Sequence, residues 1–357
     1  MSLATAAANV SYDRVKDLPV EIDSYELESL NLALSSEFTR RTTVVRLVGG
    51  GQEGFGEDST PPIGLDERMP QALPLSGTWT LERFSAQLDT LELFATPLPH
   101  PALATFRRWA FESAALDLAL RQAKRALADV LGRELRPVRF VNSLRLPNPP
   151  SIHPITRRLA LNPELQFKLD PTSDWTPELI AQLAETEAVV ALDLKGQYPP
   201  IAPILQPADP VLYERVATAF PDALIEDPAV TAETSSLLRE HADRITWDLP
   251  VISVASIGQL RFAPRALNIK PARIGTIQML FDIYDHCERH GIATYGGGMG
   301  ELGPGRDQIQ YLASLFSPDA PNDVAPREYN LPEPPSVLAR SPLPVPAPEA
   351  GFRRGVA

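Results

Sequence analysis

Asp193 in VVALDLKG, Glu226 in ALIEDP and Asp248 in RITWDLP each close a short apolar run, and Lys270 in ALNIKPA stands in the same setting. Three carboxylates brought to one point form a donor set for a hard divalent cation, and an amine across from them is placed to carry a proton. Oxygen ligands without cysteine or histidine favour Mg2+, with Mn2+ as the alternative. A lone acid at a strand end is most often a helix cap or a solvated loop charge. Three in successive units need another account, because crowded carboxylates repel one another until a cation relieves them.

The elements that must position these groups follow from the spacing. The intervals are 33, 22 and 22 residues (226−193, 248−226, 270−248), about the length of a strand, a loop, a helix and a return loop. Successive units of that length build a parallel α/β barrel, whose reacting groups sit at the C-terminal ends of the strands. Short apolar runs supply the strands: Val138–Val141, Leu165–Leu169, Val189–Leu194, Ala223–Ile225, Ile245–Trp247, Ala266–Ile269 and Ile292–Tyr295. Helix-compatible segments lie between them at Pro177–Glu185, Leu212–Ala219, Ala232–His241 and Ile277–His290, the first opened by the start signal Thr176-Pro177. This count of strands fits a barrel better than an open doubly wound sheet.

Upstream, TTVVRLV (Thr42–Val48) runs into Gly49, Gly50 and Gly51, and GQEGFGED then suggests a return strand. A hairpin is expected rather than a phosphate-cradling loop, because Pro61 and Pro62 follow where that loop would need a helix. From Phe106 to Val130 apolar residues recur at three- and four-residue steps, so one long helix is expected there. The 37 prolines cluster at 147–154, at 199–210 and from Pro332 to Pro348. The first two clusters mark loops. The last excludes helix and central strand and leaves a disordered tail or an extended strap, with Phe352 as a potential anchor.

The 357-residue chain carries a formal charge of −12, which argues against nucleic acid or an anionic membrane as its main partner. Cys287, the one cysteine, excludes an internal disulfide and is expected to be buried or half-buried on a helix. No run approaches the roughly 18–20 apolar residues of a membrane span, and no basic-then-apolar leader opens the chain, so a cytoplasmic enzyme is the expectation. The five histidines form no metal-ligand set.

Further groups could reach the same centre. Lys168 in LQFKLDP is a second lysine at a strand end; if its strand lies across the barrel from that of Lys270, the two amines face opposite sides of a bound substrate. Burial beside a metal would lower the pKa of Lys270 toward that of a general base. Asp170, two residues after Lys168, could pair with it. Lys195, two residues after Asp193, could point at the acids and even stand in for the cation. Glu301, in the glycine-rich GGGMGELGPGR, is a further candidate.

Taken in order, these motifs resemble the enolase superfamily, in its mandelate racemase and muconate-lactonizing branch, over nearly the whole chain. TRRTTVVRLVGGGQEGFGED is similar to the N-terminal hairpin of that branch, and RWAFESAALDLALRQAKRALADVLGR to its capping helix. FKLD falls at its Lys-x-Lys strand, ALDLKG, LIEDP and ITWDLP at its three metal acids, and LNIKPARIG at its sixth-strand lysine. The resemblance implies a modified TIM barrel, (β/α)7β, at residues 131–330, capped by an α+β domain at 1–130 and by a strap at 331–357. It implies Mg2+-assisted removal of the proton next to a carboxylate of a small-molecule substrate, with Asp193, Glu226 and Asp248 on the metal and Lys168 and Lys270 as acid and base. Cap loops around Asp23–Phe38 and Gly50–Ser59 would select the substrate. The departures are Lys195 where the family often has Asn, Leu249 where a Glu follows the third acid, and a single lysine on the second strand. Asp170 stands in the usual base position if Lys168 matches the first lysine of the pair; Gln166 fills the first slot if it matches the second. An isomerase or lyase is therefore expected. The alternatives are an acid-sugar-type dehydratase and a barrel that has lost catalysis and serves as a binding or scaffold protein. A homo-oligomer is left open.

Overall fold

The structure is a computed structural model describing residues 10–34, 39–61, 72–199 and 204–354. Its N-terminal part holds two antiparallel sheets. Strand β1 (Pro19–Ile22) pairs with β5 (Gly77–Thr80), while β2 (Ser24–Ala33), β3 (Thr39–Gly49) and β4 (Gln52–Asp58) form a meander. Gly50 and Gly51 turn β3 into β4 with φ of 55° and 70°, the positive angles that a tight hairpin needs. The segments expected as selecting loops are thus largely strand. Ser24–Ala33 pairs with β3 over ten positions, and Gln52–Asp58 pairs with its other edge; residues 35–38 of the first segment lie outside the described residues.

The long helix expected from Phe106 to Val130 is divided into Ala104–Gln122 and Leu127–Leu131. The first helix ends on left-handed Lys124, φ 53°, with Arg125 N donating to Leu120 O at 2.9 Å. The strap takes the backbone groups beyond it: Leu127 N donates to Gly351 O and Gly351 N to Arg125 O, both at 3.0 Å. The first helix lies on β4 at backbone contact; a Cβ on Gly56 would fall 1.9 Å from Ala110 O. Its buried charges are all engaged. Arg107 pairs with Asp58 at 2.8 Å, and Glu112 accepts from Arg108, from Ser85 and from Ile277 N.

Seven parallel strands follow: β6 (Val141–Leu144), β7 (Gln166–Leu169), β8 (Val189–Asp193), β9 (Leu224–Glu226), β10 (Ile245–Trp247), β11 (Ala266–Ile269) and β12 (Ala293–Gly296). They are hydrogen-bonded in chain order. Residues 322–323 close the ring. Val141 N donates to Asn322 O and Asp323 N to Gly296 O, both at 2.8 Å, so a two-residue eighth strand bridges the free edges of β6 and β12. The Asn322 side chain clasps this seam, accepting from Gly296 N at 2.6 Å and donating to Arg139 O at 2.9 Å. The architecture is a (β/α)7β barrel with an N-terminal α+β cap. Helices Pro177–Glu185 and Ile277–His290 begin on Thr176 and Thr276, each accepting from a backbone N–H three residues on. Helix His153–Leu161, within a stretch whose prolines suggested loop, tolerates Pro154 because the first turn has no hydrogen bond for it to break. Cys287 is buried at 1% exposure.

Candidate active site and metal centre

The candidate groups gather at the C-terminal end of the barrel because each ends a strand. Asp193 and Glu226 are the last residues of β8 and β9 and lie in register, and Asp248 directly follows β10. All three are fully buried, at 0–1% exposure, and offer oxygens that lie within 4.8 Å of one another. Lys168 on β7 and Lys270 after β11 reach the same centre. The Lys168 ammonium donates to Glu226 Oε1 and stands 3.1 Å from Asp193 Oδ2 and 3.5 Å from Asp323 Oδ2. Lys270 Nζ lies 2.9 Å from Asp248 Oδ2, at an angle that leaves this oxygen without a hydrogen bond.

The sequence-level candidates beyond these divide. Lys195 is brought in: with φ at +51° it folds back on Asp193, its backbone N–H on Oδ1 at 3.2 Å and its ammonium on Oδ2. Asp170 does not pair with Lys168. It lies 3.7 Å from Lys195 Nζ and 3.6 Å from Arg145 Nε, and its Oδ1 has no hydrogen bond. Glu301 lies apart from the three acids, with both carboxylate oxygens accepting from Met299 N at 2.9–3.0 Å.

Several partners were not singled out from the sequence. Arg273 donates to Asp248 Oδ1, one helical turn beyond Lys270, a spacing that could have found it. Tyr295 OH donates to Glu226 Oε2 at 2.6 Å and Asn268 Nδ2 to Oε1 at 3.3 Å. Asp227, at φ +47°, accepts from Asp248 N and Leu249 N with its two oxygens at 2.8 and 2.9 Å and so fixes the end of β10. Asp323 comes from the closing strand, which no apolar run announces.

The electrostatics correct one expectation. Burial does press on the lysines, but Glu226 and Asp193 hold Lys168 well above its ordinary pKa, and Asp248 raises that of Lys270. Both are ammonium ions in this arrangement, because each has a buried carboxylate as its direct partner. The acids diverge. Burial would push Asp193 up, yet Lys195 and Lys168 hold it well below the usual range; Arg273 and Lys270 hold Asp248 down to about 2. Burial and the neighbouring Asp193 and Asp248 push Glu226 up to about 8, and burial and Asp248 push Asp227 to about 7.

The donor chemistry fits a hard divalent cation. Three buried carboxylates converge with no nitrogen or sulfur ligand, and one oxygen, Asp248 Oδ2, has no hydrogen bond. Counting Asp170, Asp227 and Asp323, six carboxyl groups face five cationic side chains (Lys168, Lys195, Lys270, Arg273 and Arg145).

The chain is similar to known proteins in sequence and in fold. The C-terminal domain model of the DUF8230 family, a domain of unknown function, matches residues 134–331, and its N-terminal domain model matches 13–130. The chain belongs to the DUF8230 family. Its fold is that of the enolase superfamily, in the mandelate racemase and muconate-lactonizing branch. A superfamily member from Listeria innocua aligns with a TM-score of 0.66 at 19% identity, covering 93% of this chain and 94% of that one. Muconate cycloisomerase from Pseudomonas fluorescens aligns at 0.64 and 19%, covering 94% and 96%. In sequence, an N-succinylamino acid racemase of Thermus thermophilus is 28% identical over 337 residues, 86% of each chain. Among the described residues no helix is long and apolar enough to cross a membrane.

Proposed function

We propose that this protein is a divalent-cation-dependent enzyme that removes the proton next to a carboxylate of a small-molecule substrate, working as an isomerase of the racemase, epimerase or cycloisomerase kind, or as a lyase. The observation that carries this reading is the convergence of Asp193, Glu226 and Asp248 within 4.8 Å at the strand ends, with Lys168 and Lys270 on the same carboxylates. The three acids would hold Mg2+ or Mn2+, which when bound supplies positive charge to the carboxylate of the substrate. The chain's own residues do the rest. Lys270 just after β11 and Lys168 on β7 are the proton carriers, and one of them must release its proton before it can accept another. Arg273 and Asn268 orient Asp248 and Glu226. Asp227 keeps the end of β10 in place, and the buried surroundings strengthen every charge interaction.

The names of the relatives suggest N-acylamino acids as first substrates. Incubation in D2O with MgCl2 and a panel of N-acylamino acids, dipeptides and related acids should give deuterium at the α-carbon, and Lys270→Ala should reduce that exchange by at least ~10²-fold. Absence of exchange across the panel with metal bound would count decisively against the reading. One observation favours the scaffold alternative: Lys168, Lys195, Lys270 and Arg273 already engage the three acids. Calorimetry finding no Mg2+ or Mn2+ binding would move the balance to it.

A further inference from the structure

Two lysines touch the acids that would hold the metal, and each has a second carboxylate just outside the trio. Lys168 Nζ is on Glu226 and Asp193, with Asp323 Oδ2 3.5 Å away; Lys195 Nζ is on Asp193 Oδ2, with Asp170 Oδ1 3.7 Å away. The Lys195 pair is the more telling. Asp170 Oδ1 is a buried carboxylate oxygen with no hydrogen bond, at a distance an ammonium could close by rotating its last bonds. A buried acceptor left unsatisfied is costly, so such an oxygen calls for an occupant in some state of the protein. Arg145 Nε stands 3.6 Å from Asp170 Oδ2, with Arg145 Nη2 on Ile204 O, and leaves Oδ1 unsatisfied.

We infer that Lys195 is a two-position ammonium: it neutralises Asp193 when no divalent cation is present and transfers to Asp170 when one binds, so that Asp170 is the residue that clears the metal site. The inference rests on the metal reading above. An ammonium and a divalent cation cannot both sit against Asp193 Oδ2 without strong repulsion at low dielectric. With Asp170 within reach, the displaced charge remains inside the protein next to a carboxylate rather than buried alone. Asp170 and Lys195 thereby act on one equilibrium, and their effects on metal affinity must be coupled.

The test is calorimetric titration of the full chain with MgCl2, as wild type, Asp170→Asn, Lys195→Met and the double variant. Thermal unfolding of each checks that it is folded, and Lys195→Gln replaces Lys195→Met should that variant fail. Lys195→Met should tighten Mg2+ binding about tenfold, because Asp193 loses its competing cation. Asp170→Asn should weaken binding about tenfold in the wild-type background and by no more than about twofold where Lys195 is absent. Equal effects of Asp170→Asn in both backgrounds, or an unchanged affinity in Lys195→Met, overturn the inference while the metal reading stands. A silent wild type with a binding Lys195→Met variant also overturns the inference, because it shows an ammonium that stays on Asp193 and does not transfer to Asp170. No binding by any of the folded variants overturns both.

Discussion

Glu226 and Asp227 are adjacent in sequence and face opposite duties, one toward the shared centre and one toward the backbone of β10. Both are protonated more readily than ordinary carboxylates, Glu226 rising from 4.5 to about 8 and Asp227 from 3.8 to about 7. Between those limits the folded chain holds more protons than the unfolded one. Each group therefore contributes stability at the acid end that declines as the pH rises. The lowered Asp193 and Asp248 act in the opposite sense, and their contribution is already complete above about pH 4. In EDTA, the unfolding temperature should fall as pH is raised from about 5 to about 8, and MgCl2 should recover more of it at the alkaline end. A midpoint that rises across this window would contradict the assignment of Glu226 as a carboxyl group raised by burial and by its acidic neighbours.

Among the elements, the parts legible in the sequence were those with a period. Ile277–His290 and Pro177–Glu185 begin and end where their start and stop residues place them, since Thr176 and Thr276 cap locally and Gly291 ends its helix in the left-handed conformation. What could not be read were features fixed by distant chain. The pairing of Arg125 and Leu127 with Gly351 and the closing strand at Asn322 join residues far apart in the chain and leave no local pattern. At the candidate centre the three acids and two lysines were legible because each terminates an apolar run. Asp323 was not, because it is placed by the closure of the ring, whereas Arg273, one turn beyond Lys270, carried a local spacing that went unread. The strap makes a similar long-range claim. Phe352 is fully buried, lies edge-on to Tyr311 and donates its N–H to Asp117 Oδ1 at 3.1 Å. Phe352→Ala should cost about 3–5 kcal/mol in denaturant unfolding; a loss below about 1 kcal/mol would show that the strap is dispensable.

At the scale of the whole molecule, the cap is tied to the barrel through buried ions rather than through apolar contact alone. Glu57, at the end of β4, accepts from Leu302 N at 2.5 Å and from Gly303 N and Gly305 N at 2.9 Å, at the start of helix Pro304–Phe316. A carboxylate there meets both unpaired N–H groups and the positive end of the helix. Arg40 donates to Met299 O and Gly300 O in the same loop. We propose a division into a cap at 1–130, a barrel at 131–330 and a strap at 331–357, with these ties setting how the cap covers the strand ends. Glu57→Ala should lower stability by about 1–3 kcal/mol and speed hydrogen exchange at the amides of Leu302, Gly303 and Gly305. Unchanged protection at those amides would mean that the contact is incidental.

The seam at Asn322 and Asp323 has a temporal meaning as well. A nascent chain can lay down seven staves long before it has the two residues that shut them into a ring, and until then β6 and β12 are bare edges open to any passing strand. The ionic groups that the ring surrounds stay hydrated until those two residues have been added. Ordering of the centre thereby waits on residues 322–323 rather than on the strands that carry its charges.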